Sequence, residues 1–329
     1  MLVNLGLDLD ALSEAATDVE PWRLAQAHRE AVQAIATCGV LRLASTTEVA
    51  ELHEAVNALP AALKHIWAAL LVDRRSLIQH CQPEATRRIS EIESYEELTD
   101  DYQRQVRVAL VSSARAELGF GVPEDEASST PGPIEIARFE AAWSSQLLAE
   151  LRDRTYVPSG TTRDVVWSWI APAASVSRNI TILDRYASAG LVDKEIHGER
   201  RGGPSWLLER IHRTAKDVEV KIITAQGHSG RTAARIEEAV RLLVERLGGG
   251  GIRRLTVNVA ENPSDLAHDR HIRFANVLAV SIGGGLDEFG TRATHDGYVF
   301  TRLPTNDARE RERRRATGAI HEFAIRVSG

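Results

Sequence analysis

The sequence predicts two domains of different class: an all-helical domain over residues 1–120 and an α/β domain over residues 134–329, joined by a linker at 121–133. A chain of 329 residues with 43% hydrophobic content is long enough for two cores. Apolar residues recur at helical spacing in the first part, whereas short β-type runs alternate with helices in the second. The linker is dense in Pro, Gly, Ser and acidic residues.

Charge is divided between the two parts of the chain. Of 40 Lys and Arg and 46 Asp and Glu residues, the first 155 positions hold 14 and 25, a balance of −11. The remainder therefore holds 26 and 21, a balance of +5. A basic domain beside an acidic one suits an anionic ligand on the former. The acidic half either masks that site or keeps the chain in solution.

Apolar residues at helical spacing predict helices along the first domain. The predicted helices cover residues 22–37, 46–59, 61–72 and 93–118. Ser45 is the expected N-cap of the second helix, and Glu48 is placed to reach back to the main chain. Antiparallel helices of this kind form an all-helical bundle. Binding of a protein partner is the role expected of this domain.

The second domain alternates strands with helices. The predicted strands cover residues 134–139, 180–183, 218–224 and 254–259, and the predicted helices 140–151, 162–170, 205–215 and 231–247. This order predicts a layered α/β domain with a largely parallel sheet. Four glycines at 248–251 follow a helix and lack the Lys-Ser/Thr ending of a P-loop, so they are expected to stop that helix.

A predicted strand with alternating charged side chains, residues 268–274, carries the strongest functional signal. His268 and Arg270 are two residues apart and point to the same side of a strand, whereas Asp269 points to the other. An imidazole can attack phosphorus or move a proton, and a guanidinium can hold two phosphate oxygens. A second strand, 277–281, leads to a glycine turn where the main chain can approach an anion closely. The other interpretation is a solvated surface strand.

The run HDRHIRFANVLAVSIGGGLDEF, residues 268–289, resembles the signature of a known family. This is the phospholipase-D-like domain that follows the microtubule-interacting-and-transport domain in some eukaryotic proteins, together with its bacterial relatives. The similarity includes the His-Asp-Arg triplet and the Gly-Gly-Leu-Asp turn, with a weaker echo at residues 180–186. The resemblance implies a phospholipase-D-like fold for the C-terminal α/β domain.

The resemblance also implies roles for individual residues. Catalytic members of the superfamily use a His-x-Lys pair with a later Asp and a Gly-Ser turn. His268 falls on the family histidine and Arg270 stands where the lysine would be. The region of the later Asp reads Ala275-Asn276, and Gly283-Gly284 replaces the Gly-Ser pair. The eukaryotic relatives are thought to bind membrane phospholipid without hydrolysing it, so the resemblance implies phosphate binding and leaves hydrolysis open.

Two functions follow from these residues. In the first, a metal-independent nuclease or phosphodiesterase, His268 attacks phosphorus and Arg270 stabilises the developing charge. A second His268 in a symmetric homodimer then protonates the leaving oxygen. In the second, a non-catalytic module holds a phospholipid head group or a nucleic-acid phosphate. The phosphate-binding residues expected in both are Ser281, Gly283, Gly284, Asp184 and Tyr186.

Two features carry open alternatives. Asp184 and Tyr186 follow a predicted strand, where ligands gather in open α/β sheets, but a strand-end Asp is as often a helix cap. Residues 309–315 read RERERRR, which is typical of a solvated helix face. Their excess of arginine also suits contact with a nucleic-acid backbone or an acidic lipid.

Composition argues against several other classes. Cys38 and Cys81 are too few for a disulfide framework and lie outside metal-ligand spacings, so neither a metal nor a cofactor is expected. No basic region precedes the apolar start of the chain, so a signal peptide is not expected. The longest apolar run, residues 66–72, is far shorter than the ~20 residues of a transmembrane helix. The expected location is the reducing cytoplasm.

Overall fold

A computed structural model of the chain describes residues 1–13, 20–73, 77–80, 87–92, 106, 108–112, 115, 132–136, 143–199, 202–226, 231–262, 264, 266 and 270–327. The chain divides into two compact units, Met1–Asp153 and Arg154–Gly329. The predicted linker residues 121–131 lie outside the described residues. None of the described helices is long and apolar enough to cross a bilayer.

The first unit combines a parallel sheet with helices. Its strands are β1 (Val3–Leu7), β2 (Gly39–Leu43), β3 (Ile78–His80), β4 (Val108–Val111) and β5 (Gly132–Glu135). Its helices are α1 (Asp10–Ser13), α2 (Pro21–Cys38), α3 (Thr46–Ala58), α4 (Ala61–Asp73) and α5 (Trp143–Asp153). Among the described residues, the five strands pair in parallel in the order β3-β2-β1-β4-β5.

The prediction of an all-helical first domain is therefore wrong. Strand β4 lies within the predicted helix 93–118, and β1 and β2 were not predicted at all. The side chains of β4 are all buried, and those of β1 and β2 nearly all are. Parallel strands buried on both faces are continuous apolar runs without period-2 alternation, which makes them hard to distinguish from buried helix.

The second unit is built on one large sheet. Its strands are β6 (Tyr156–Val157), β7 (Asn179–Leu183), β8 (Val218–Ala225), β9 (Ile252–Ala260), β10 (His271–Phe274), β11 (Leu278–Ile282), β12 (Tyr298–Leu303) and β13 (Ala319–Arg326). Its helices are α6 (Arg163–Ser168), α7 (Ala171–Val176), α8 (Ala187–Glu195), α9 (Gly203–Thr214), α10 (Ala233–Leu247) and α11 (Thr305–Ala316). A 3-10 turn covers Gly285–Phe289.

The eight described strands of this sheet pair in the order β13-β9-β8-β7-β10-β11-β12-β6. Strands β7, β8 and β9 are parallel, and the pairs on either side of them are antiparallel. The sheet is thus mixed, and the expectation of a largely parallel sheet is wrong. Because of these directions, β7, β8, β9 and β11 end where β10 and β12 begin. We call this side of the sheet the carboxyl edge.

Several helix ends follow the local sequence. Ser45 caps α3 by accepting a hydrogen bond from the Glu48 main-chain N at 3.1 Å, and the Glu48 carboxylate accepts one from Ala44 N. Thr162 caps α6 in the same way, through Val165 N at 3.4 Å. Gly248 ends α10 with a φ of 68°, so the glycine run is a helix stop as predicted.

Candidate functional site

The carboxyl edge of the second sheet brings together residues from distant parts of the chain. Arg270 immediately precedes β10, Asp184 immediately follows β7, and Gly283 follows β11. His271 lies opposite both Leu183 and Ser281 in the sheet register, so the residues one step further along these strands are neighbours. The Arg270 carbonyl accepts a hydrogen bond from Ile282 N at 3.0 Å. Ligands in α/β sheets gather at such an edge.

Asp184 connects two chain segments at this edge through hydrogen bonds. Its side chain is buried, with Oδ1 accepting a hydrogen bond from Tyr186 N at 2.9 Å and Oδ2 accepting one from Leu286 N at 2.7 Å. Burial raises the pKa of the carboxyl group, while the two main-chain hydrogen bonds and the nearby Arg270 act in the opposite direction. Asp184 thus ties the end of β7 to the glycine turn, which is a positioning role.

The glycine turn approaches Asp184 and Arg270 closely. Gly285 has a φ of 75°, a left-handed conformation that favours glycine. A Cβ atom there would lie 2.7 Å from both Arg270 Cδ and Asp184 Oδ2. Gly283 instead pairs with β12, its N donating to Val299 O at 2.8 Å. Glycine at 285 is therefore required both by the backbone angle and by the two site residues beside it.

Two guanidinium groups meet at one aromatic ring in the site. The Cζ atoms of Arg185 and Arg270 lie 4.6 and 5.3 Å from the ring centroid of Tyr186. The Nε atoms of both arginines are buried and have no hydrogen-bond partner among the described residues. Buried donors without partners are uncommon in folded proteins. Guanidinium groups of this kind donate hydrogen bonds to oxyanions.

The remaining predicted residues have different positions. The Ser281 hydroxyl donates to the Arg270 carbonyl at 3.3 Å, so it supports the main chain of Arg270. Gly284 is half-buried, and a Cβ atom there would collide with the Glu288 side chain. His268, the predicted nucleophile, and Asp269 lie outside the described residues. The structure thus places Arg270, Asp184, Tyr186, Ser281, Gly283 and Gly284 around one edge.

Two residues of this site were missed by the sequence analysis. Arg185 lies between Asp184 and Tyr186, which were predicted because they follow a strand, and the same position after β7 could have indicated it. Glu288 is half-buried in the 3-10 turn, where burial and the adjacent Asp287 raise its pKa while Arg270 lowers it. A carboxyl group with a raised pKa beside a cation is a feature of sites that move protons.

No protein-family model and no curated protein sequence matches this chain. The assignment of a function therefore depends on the chemistry of the described side chains.

A second charged cluster lies on a face of the sheet away from Arg270. Glu312 of α11 contacts His271 Nε2 at 3.1 Å through Oε1 and accepts hydrogen bonds from Arg273 Nε at 2.9 Å. Arg273 Nη2 also donates to Thr181 Oγ1 at 3.0 Å. Burial raises the pKa of Glu312, but the hydrogen bonds from His271 and Arg273 outweigh it and hold the pKa below its ordinary value. This cluster fixes α11 to β10.

Proposed function

We propose that the second unit recognises the phosphate of a phosphodiester through Arg270 and Arg185. The observation that carries this proposal is the pair of buried Nε atoms without hydrogen-bond partners among the described residues, at the edge of the sheet where ligands gather. A phosphodiester oxyanion can accept from both guanidinium groups. The net charge of +5 beyond position 155 favours the same class of ligand.

Hydrolysis is the chemical hypothesis built on this binding. In it, a ring nitrogen of His268 attacks phosphorus, the bond from phosphorus to the leaving oxygen breaks, and that oxygen takes a proton. Water then attacks the phosphohistidine and releases the phosphate product. Because histidine supplies the nucleophile, the reaction needs no metal. The resemblance of residues 268–289 to the phospholipase-D-like signature supports this role for His268.

The leaving oxygen requires a proton donor. In a symmetric homodimer, the His268 of the other subunit donates this proton. Glu288 is the alternative within one chain, because its raised pKa lets it hold a proton closer to neutral pH and its charge interacts with Arg270.

A non-catalytic phosphate-binding module is the second candidate function. The specific observation in its favour is that Asp184 and Ser281 are both engaged in holding the main chain of the site. Such a module would bind the phosphate of a phospholipid head group or a nucleic acid without turnover. The two candidates share Arg270 and differ in what they require of His268.

Substitutions at these two positions separate the candidates. Arg270→Ala should weaken binding of inorganic phosphate by about 10- to 150-fold, because hydrogen bonds to a charged group contribute about 1.5–3 kcal/mol. Arg270→Lys should keep part of the affinity, since the charge remains while the planar fork is lost. His268→Ala should abolish hydrolysis of bis(p-nitrophenyl) phosphate in the presence of EDTA while phosphate binding is retained. Binding is measured by calorimetry and hydrolysis by absorbance.

Arg241→Ala is the matched control, because Arg241 lies on α10 of the same unit, is exposed, and pairs with Glu237. It changes the net charge by the same amount and should leave both measurements unchanged. Wild-type binding without hydrolysis, lost in Arg270→Ala, would establish the non-catalytic module. Phosphate affinity that is equal in wild type and Arg270→Ala would refute phosphate recognition at this edge.

A further inference from the structure

An exposed aromatic ring lies on the same edge of the sheet as Arg270. Tyr156 of β6 is 51% exposed, and Val299, directly opposite it on β12, is 52% exposed. Gly283 N donates to the Val299 carbonyl, so this apolar pair continues directly into the glycine turn. From β10 to β6 there are three strand spacings of about 4.8 Å, which separates Tyr156 from Arg270 by about 14 Å across the strands.

The register shows which face of the sheet carries this ring. His271 lies opposite Ser281, and Ser281 lies opposite Thr301. Val299 is two residues before Thr301 and therefore on the same face, as is Tyr156 opposite it. Helix α11 covers β8, β10 and β11 on this face through contacts such as that of Glu312 with His271. The Tyr156 and Val299 side chains are exposed on this face. Arg270 alternates with His271 and points to the other face, so a ligand that contacts both Arg270 and Tyr156 must pass over the carboxyl edge.

The Tyr156 ring lies against the main chain of Gly297. Strand pairing with β12 holds its backbone, and a Cβ atom on Gly297 would lie 1.7 Å from the Tyr156 hydroxyl oxygen. The phenol group thus rests against glycine, and any larger residue at 297 would displace it. A ring held in this way is preorganised to stack on a planar group.

The last turn of α11 adds positive charge near this edge. Ala316 packs against a buried cluster near the ends of β7, β8 and β9, formed by Leu183, Ile223, Ala225 and Ala260 together with Leu266, which follows β9. The end of α11 therefore reaches the carboxyl edge. Arg313 and Arg314 in this turn have side chains 70% and 71% exposed, both paired with Glu310. Arg313 and Arg314 lie to one side of Arg270 along the carboxyl edge, and the Tyr156 ring lies to the other. A nucleic-acid strand has phosphates for the arginines and bases for the ring.

We propose that the second unit binds single-stranded nucleic acid that crosses the carboxyl edge, with one phosphate at Arg270 on one face and a base stacked on Tyr156 on the other. Sequence-tolerant binding of single strands combines a positively charged track with aromatic rings on which bases stack. In a duplex the base faces are covered, so a ring on a sheet face requires an unpaired base. This inference rests on the proposed phosphate recognition and names its substrate class.

The test is the affinity of the full chain for a fluorescent phosphorothioate oligothymidylate, measured by anisotropy. Tyr156→Ala should weaken binding roughly 5- to 150-fold, the range expected for loss of one stacked base. Tyr156→Phe keeps the ring and should bind like wild type. Gly297→Ala, which retains the ring but displaces it, should weaken binding. Leu242→Ala is the control, because Leu242 is 39% exposed in the second half of α10 in the same unit.

Other ligands distinguish the failure of this inference from failure of the proposed function. Tyr156→Ala should leave inorganic phosphate binding unchanged, whereas Arg270→Ala should weaken both ligands. If Arg270→Ala weakens both and Tyr156→Ala weakens neither, the stacking role is wrong and phosphate recognition stands. If Arg270→Ala affects neither, the proposed function itself is wrong. Two further results would overturn the proposal. One is an affinity for duplex DNA equal to that for the single strand. The other is binding of phosphatidylglycerol vesicles, but not of the oligonucleotide, that depends on Tyr156.

Discussion

Glu312→Ala is expected to lower the free energy of unfolding of the second unit by about 3–5 kcal/mol, the usual cost of removing one partner of a buried ion pair. The Glu312 side chain is 7% exposed and that of Arg273 is 12% exposed. Without the carboxylate, Arg273 would keep its charge in a buried position with the Thr181 hydroxyl and the Ala275 carbonyl as its remaining partners. Denaturant unfolding of the full chain, with hydrogen exchange of residues 305–316, measures the effect.

The same helix provides a matched control. Glu310 lies two residues earlier and pairs with Arg313 and Arg314 on the exposed side of α11. Glu310→Ala should change stability little, because exposed ion pairs are screened by solvent. Equal effects of the two substitutions would show that Glu312 does not hold α11 to the sheet.

The pKa of Glu312 gives this cluster a pH dependence. The folded state holds that pKa below its ordinary value of 4.5, so the stability from Glu312 is present above pH 4.5. It is lost as the pH falls through the folded value. The difference in stability between wild type and Glu312→Gln should therefore shrink in acid. A difference that stays constant from neutral pH to below the ordinary pKa would contradict the ion pair.

The sequence predicted the second unit better than the first for a physical reason. Its strands and helices alternate with clear boundaries, and α10 ends at Gly248 as glycine chemistry requires. In the first unit, strand β4 is the four-residue run Val108–Val111, buried on all sides. Such a run has no alternation, and its apolar residues also fit one face of a helix. Whether such a run forms a strand or a helix depends on pairing with other strands, which is a non-local interaction.

The site was predictable in part. The glycine turn and Arg270 lie in one continuous segment, so their proximity follows from the hairpin of β10 and β11. Asp184 was expected near the site because it ends a strand, but its hydrogen bond to Leu286 N spans a long separation in sequence. Glu312 lies in a run of alternating charges that is typical of a solvated helix. Its burial depends on α11 lying across β10, which the composition of the run does not reveal.

Gly285→Ala is expected to disrupt the site and to destabilise the second unit. The left-handed backbone alone costs alanine roughly 1–2 kcal/mol. In addition, the new Cβ atom would lie 2.7 Å from Arg270 Cδ and from Asp184 Oδ2, closer than such atoms approach. Asp184 is held by two main-chain hydrogen bonds, so Arg270 or the turn must move. Phosphate affinity should fall as far as in Arg270→Ala, about 10- to 150-fold.

Gly160→Ala measures the stability cost of a left-handed backbone without the steric clash that occurs at Gly285. Gly160 has a φ of 80° in the same unit, and nothing lies within 4 Å of its ideal Cβ position. It should lose only the backbone part of the stability, roughly 1–2 kcal/mol, and keep its full phosphate affinity. The double variant Gly285→Ala with Arg270→Ala should bind phosphate no more weakly than Arg270→Ala alone, because both changes remove the same interaction. Additive losses of affinity would instead mean that the glycine turn contacts the phosphate independently of Arg270.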